Sequence, residues 1–157
     1  MTIRSDGSIW KKTLKDGCKK QNNLKGRDNM NPKIYKTFQQ SELDAVLMYR
    51  ALAQNAKSDA EKTLLLRLGA IEGKHAAVLR GITENGELQP TDAMAKPIAL
   101  LERFAGRRVT YFLVSLGEKA AYYLYQPLAK QHPELQVNAK EETDHGNTLQ
   151  WLAKAIK

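Results

Sequence analysis

Cysteine is almost missing from this chain of 157 residues: Cys18 stands alone. An internal disulfide framework, a CxxC redox pair and a cysteine-built zinc or iron–sulfur site are all excluded. Ten glycines and five prolines are too few for a collagen-like or low-complexity chain. Long apolar runs are missing as well. The longest in the second half, 109–117, is far short of the roughly 20 residues of a membrane span. No apolar core follows the first basic residues, so no signal peptide is expected, and a reducing cytoplasm is the expected compartment. Nor does any stretch alternate with the period of a strand.

What is present is positive charge, unevenly spread. The net charge is +8, of which residues 1–33 hold +6, from nine Lys/Arg against three Asp. The remainder, with sixteen Lys/Arg and fourteen Asp/Glu, is nearly balanced. The basic character therefore belongs to an N-terminal arm, residues 1–31, and not to the domain expected over 32–157. The arm reads either as a solvated extension or as an electrostatic docking segment for an acidic partner, nucleic acid or membrane surface. Ile9 and Trp10 are its candidate anchors.

From Asn31 onward the pattern is helical. Asn31-Pro32 pairs a capping side chain with proline at the first helical position. Tyr35, Phe38, Ala45, Val46, Tyr49 and Ala53 follow at spacings of three and four, one buried face. Ser58-Asp59-Ala60-Glu61 is a capping box, opening a second stripe of Leu64, Leu65, Leu68, Ile71, Val78 and Leu79. Residues 83–96, with Asn85-Gly86 and Pro90, read as a connector. Pro97 opens a third helix with Leu100, Leu101, Phe104, Tyr111, Val114 and Tyr122 inward, ended or kinked by Pro127. Pro133 precedes the fourth stripe of Leu135, Leu149, Leu152 and Ile156. The fold expected is all-α, a four-helix bundle.

Each stripe is interrupted by a carboxylate. Glu42 lies seven after Tyr35 and seven before Tyr49. Glu72 lies four after Leu68 and seven before Leu79. Glu118 lies seven after Tyr111, and Glu142 is seven from both Leu135 and Leu149. A buried carboxylate must neutralise, find a partner or bind a metal. Two of the four carry a histidine three residues on, Glu72-Gly73-Lys74-His75 and Glu142-Thr143-Asp144-His145, and such a pair projects from one helix face. With ten Glu and three His in the chain, two such pairs arise by chance about 1% of the time. His132 has no such partners and reads as a surface residue. One Glu from each of two helices plus Glu-x-x-His from each of the other two is the di-iron or di-manganese carboxylate arrangement. Hard carboxylates and neutral imidazoles suit either metal, and a closed four-ligand zinc site fits less well.

Through these segments, with Glu42-Leu43-Asp44-Ala45 and Gly117-Glu118-Lys119-Ala120-Ala121-Tyr122, residues 32–156 resemble the ferritin-like superfamily, and most the di-iron domain of rubrerythrins. The resemblance implies two iron ions held by Glu42, Glu72, His75, Glu118, Glu142 and His145, with Glu72 and Glu142 bridging. It further implies peroxide or dioxygen as oxidant, an external electron donor and a homodimer. Two departures stand out: Ala121 occupies the place of a further glutamate, and the four-cysteine rubredoxin-like domain cannot be built. The remaining six-ligand set resembles bacterioferritin-type ferroxidase centres.

Tyr49 and Tyr122, with Tyr125, flank the expected site, where a phenol can bond a ligand carboxylate and tune it or trap a one-electron oxidant. Packing is the alternative reading. Gly73 and Gly117 abut ligands inside helices, each at a cost of roughly 1 kcal/mol, for which close approach of a neighbouring helix is one explanation. Bringing the four glutamates to one height along the bundle calls for a long crossover between helices two and three. Three rivals to the oxidoreductase reading remain: an iron-handling ferroxidase, a hydroxylase of an organic or RNA substrate, and a metal-free interaction module.

Overall fold

A computed structural model describes residues 31–83 and 88–156. The expectations for the basic arm therefore lie, Asn31 apart, outside the described residues. The chain from Pro32 on forms one compact unit, an all-α four-helix bundle of α1 (Pro32–Gln54), α2 (Asp59–Thr83), α3 (Ala95–Gln131) and α4 (Leu135–Ala155). Among the described residues there is no strand.

The local signals place the helix starts. α1 begins at the proline after Asn31. At the start of α2 the Glu61 N–H donates to Ser58 Oγ at 3.2 Å, and the Glu61 carboxylate reaches back to the Lys57 N–H at 2.8 Å. That is a capping box displaced by one residue, and caps of this kind contribute about 1 kcal/mol. Pro97 falls among the first residues of α3, whose N–H groups have no intrahelical partner in any case.

α1 packs on α2, and α3 on α4. Apolar side chains close the centre of the bundle, with Tyr49, Leu52, Leu65, Tyr111 and Leu149 wholly buried. Tyr35, Leu79, Tyr125 and Leu135 are buried to the same degree. Side-chain pairings give the directions. Along α1 and α2, Gln39 meets Thr83 and Tyr49 meets Gly69. Along α1 and α3, Tyr35 meets Gln131, Glu42 meets Tyr125 and Tyr49 meets Glu118. Both series run antiparallel, which supports a parallel course for α2 and α3; part of the connector that would carry the crossover, 84–87, lies outside the described residues.

Three expectations are corrected. α3 is broken at Gly106, whose φ of 82° and ψ of 161° are non-helical. The break shifts the phase of the stripe, so Leu100 and Phe104, read as inward in one continuous register, are exposed, Phe104 at 79%. It also leaves Glu118 near the middle of the segment that follows, so height alone no longer sets the direction of α3. Pro127 does not end the helix, which continues to Gln131. Pro127 removes one backbone bond, to the carbonyl of Tyr123, and crowds it, but continuing the helix buries Leu128 and Ala129. His132 is half-buried, with its ring edge-on to Tyr35 at 5.2 Å. No described helix is long and apolar enough to cross a membrane.

Candidate metal centre

The helices bring all six candidate ligands into the middle of the bundle. Glu42, Glu72, His75, Glu118, Glu142 and His145 are each buried. They form two groups of four, Glu42, Glu72, His75 and Glu142, and Glu72, Glu118, Glu142 and His145, whose ligand atoms lie within 4.8 Å of one another. Glu72 and Glu142 belong to both. The two imidazoles stack side by side, centroids 5.7 Å apart and planes at 19°, each on the same face of its helix as the glutamate three residues before it.

Close approach inside these groups is not hydrogen bonding. His75 Nδ1 lies 3.0 Å from Glu142 Oε1 and 3.3 Å from Glu72 Oε2, and His145 Nδ1 lies 2.6 Å from Glu72 Oε1. Yet His75 Nδ1, His145 Nδ1, Glu72 Oε1 and Glu142 Oε1 are buried without a hydrogen-bond partner. Ligand atoms gathered this closely without hydrogen-bonding one another are what a metal-ligand set presents. A cluster of buried carboxylate oxygens and imidazole nitrogens could hold metal ions, and its donor chemistry fits iron or manganese.

Two phenols fix the outer carboxylates. Tyr49 donates to Glu118 Oε1 at 2.5 Å and Tyr125 to Glu42 Oε1 at 2.6 Å. The bonds cross: each tyrosine lies seven residues after a glutamate on its own helix and serves the glutamate of the other. Seven residues return to within about 20° of the same face, whereas four overshoot by about 40°. This is why Tyr125, and not Tyr122, takes the role; the Tyr122 ring lies edge-on to Tyr123 instead.

Electrostatics of the metal-free cluster follow from burial. Burial, opposed by His75 and aided by the Glu72 charge, pushes Glu42 up to about 8 and Glu142 to about 7. Burial and the Glu72 charge also hold Glu118 well above its ordinary value. For Glu72 itself burial is outweighed by the two histidines, which hold it low. For His75 burial is outweighed by the surrounding glutamates, which raise it. Burial and then Glu118 raise Tyr49, and burial and then Glu42 raise Tyr125, so both phenols stay protonated donors.

A cavity of about 360 Å³ opens beside the four glutamates, walled by Ala45, Met48, Ile98, Leu113 and Leu124 among others and bordered by Gly117 and Ala121. Gly117 therefore faces open space: a Cβ there would meet nothing within 4 Å, and one at Gly73 only Val46 Cγ2 at 3.8 Å. The close approach expected at those two glycines occurs at Gly146 instead, where a Cβ would sit 2.9 Å from the Ser115 carbonyl oxygen. One further contact went unforeseen. The half-buried Glu141 accepts a hydrogen bond from His75 Nε2–H at 2.8 Å. Its signal in the sequence is only its place beside Glu142. Comparison of the chain with family models, with curated proteins and with solved structures finds no match.

Proposed function

We propose that this centre is a carboxylate-bridged di-iron site of rubrerythrin type, working as an oxidoreductase on peroxide or dioxygen. The observation that carries the reading is the sharing of Glu72 and Glu142 between two groups, each completed by one glutamate and one histidine. Glu42 and His75 would complete one metal position, Glu118 and His145 the other. Glu42, Glu72, His75, Glu118, Glu142 and His145 would hold the iron, which when ferrous would supply the electrons for reducing the oxidant, an external donor restoring them. The protein's own part is threefold. Its helices bury all six ligand side chains. Tyr49 and Tyr125 hold one oxygen of each terminal carboxylate by donating to it. Glu42 and Glu142, protonated near neutral pH before loading, release protons as metal binds. The resemblance that motivates this reading also brings an expected homodimer.

Oxygenation of an apolar organic substrate is a second reading, favoured by the apolar cavity beside the glutamates. Its volume falls within the range of small-molecule pockets and exceeds what a peroxide needs. The test is anaerobic loading with ferrous iron, then separate challenge with peroxide and with dioxygen while ferric absorbance is followed. Oxidation of two irons per chain by peroxide, faster than by dioxygen, is expected. Oxidation only by dioxygen, accelerated by an apolar additive, would move the assignment to the second reading. Inertness to both would end it.

A further inference from the structure

The centre is built as two near-copies. Glu42 and Glu118 each accept a phenol hydrogen bond, Glu72 and Glu142 are shared, and His75 and His145 each lie three residues after a shared glutamate. Ala121 corresponds to Ala45, each three residues beyond its helix's ligand. One difference falls directly on the ligand imidazoles. His75 Nε2–H donates to the Glu141 carboxylate at 2.8 Å, whereas His145 Nε2 is buried with no hydrogen-bond partner. The residue preceding Glu142 is Glu141; the residue preceding Glu72 is Ile71.

We propose that Glu141 is a positioning residue that makes the two metal positions unequal, the His75 position binding its ion more tightly than the His145 position. This rests on the di-metal reading. An imidazole that ligates through Nδ1 must carry its proton on Nε2. A carboxylate accepting that proton fixes the tautomer and the ring orientation and makes the ligand more basic. His145 ligates through a ring whose other nitrogen is desolvated and unpaired. Partners of this outer kind change metal affinity by about 10–100-fold. The ligand types are matched between the two positions, and the Glu141 bond is the difference made directly to a ligand imidazole. The His145 position is thus the exchangeable one: at limiting metal it empties first and exchanges first.

The experiment titrates the metal-free chain of 157 residues anaerobically with cobalt(II) and, separately, ferrous iron, reading bound metal by equilibrium dialysis and the cobalt visible bands. Two affinity classes about 10–100-fold apart, one ion each, are expected. Glu141→Ala should weaken the tighter class until the two merge, with helix content unchanged, since this side chain is 40% exposed. Glu141→Gln, which still accepts the Nε2–H bond, should recover part of the loss. Ile71→Glu should tighten the weaker class, and the Glu141 variants decide the matter by themselves if that chain does not fold. A single affinity for both ions, or equal weakening of both classes by Glu141→Ala, would overturn the proposal. Binding of no metal would overturn the di-metal reading together with it.

Discussion

Two sets of buried carboxylates lie along α2, at Glu61 and at Glu72, and they are treated in opposite ways. Glu61 is surrounded by donors. It accepts from the Lys57 N–H at 2.8 Å and from the Tyr111 hydroxyl at 2.8 Å, and it pairs with Arg107. These outweigh burial and lower its pKa. Among the described residues no Lys or Arg forms an ion pair with Glu72, whose partners are His75 and His145; three further glutamates crowd beside it, and burial raises Glu42, Glu118 and Glu142. A carboxylate with its own cation and donors is finished as a structural element. A cluster of carboxylates without one is completed only by protons or by metal. The contrast separates ligands from supports without any appeal to kinship.

The largest expected effect breaks the comparison at its centre. Glu72→Ala or Glu142→Ala removes a ligand from both groups at once, so bound metal should fall from two ions per chain to well below one. Glu61→Ala should leave metal content at two. Metal analysis of the purified variants decides, and full occupancy in both ligand variants would remove the metal-centre reading.

Next in size is a pH dependence of opposite sign at the two places. In the folded, metal-free chain Glu42 and Glu142 keep their protons to about pH 8 and about pH 7, against an ordinary value of 4.5. Between 4.5 and 8 the folded state therefore holds more protons than the unfolded one. Its stability falls as pH rises through that window, by an amount on the order of a few kcal/mol. His75, also raised, acts in the same direction above 6.5. Glu61 is lowered, so its contribution is present above 4.5 and is lost as pH falls through its folded value. The melting temperature of the chelated protein should thus decline from about pH 5 to pH 8, and metal, which binds the deprotonated carboxylates, should flatten that decline. A chelated protein that grows more stable between pH 5 and 8 would contradict the assignment of burial as the dominant cause.

Much of this was legible in the residue order. Helix starts announced themselves through Asn31-Pro32 and Ser58–Glu61, because caps are local chemistry. The glutamates were legible because a charge on an apolar stripe is anomalous within a single helix. What depended on a neighbouring helix was not. The phase break at Gly106 sits in a run whose apolar residues fit either register, and a lone glycine does not declare a positive φ. The choice of Tyr125 over Tyr122 turns on an angular difference of about 60° between spacings of four and seven, which matters only once the opposite helix is in place. Glu61 read as a cap alone, since its bonds to Tyr111 and Arg107 span the bundle. Glu141 was hidden for the same reason: its partner is on another helix.

A smaller effect is expected at the finished carboxylate. Glu61→Ala leaves the Tyr111 hydroxyl without its acceptor and Arg107 without its counter-ion. Breaking a buried pair costs about 3–5 kcal/mol, but the Arg107 side chain is 21% exposed and water recovers part of the loss. A destabilisation of about 2 kcal/mol by denaturant unfolding is therefore expected. Glu61→Gln should recover part of it, because an amide still accepts from Tyr111.

The smallest effect sharpens the line between a donor that serves the centre and one that only packs beside it. Tyr125→Phe keeps the ring and removes one hydrogen bond to Glu42, a loss of about 1 kcal/mol in the metal-free protein. The hydroxyl holds Glu42 Oε1, so its removal should also let that carboxylate rotate and should alter the cobalt spectrum of the loaded site. Tyr122→Phe removes a hydroxyl from a half-buried ring packed on Tyr123. Its stability change should stay within about 0.5 kcal/mol, with the cobalt bands unmoved. Equal spectral changes in the two variants would mean that proximity along α3, and not the crossed bond from α3 to α1, decides which tyrosine belongs to the centre. An unchanged spectrum in Tyr125→Phe would instead leave the phenol as packing, and the carboxylate would be oriented by its remaining neighbours alone.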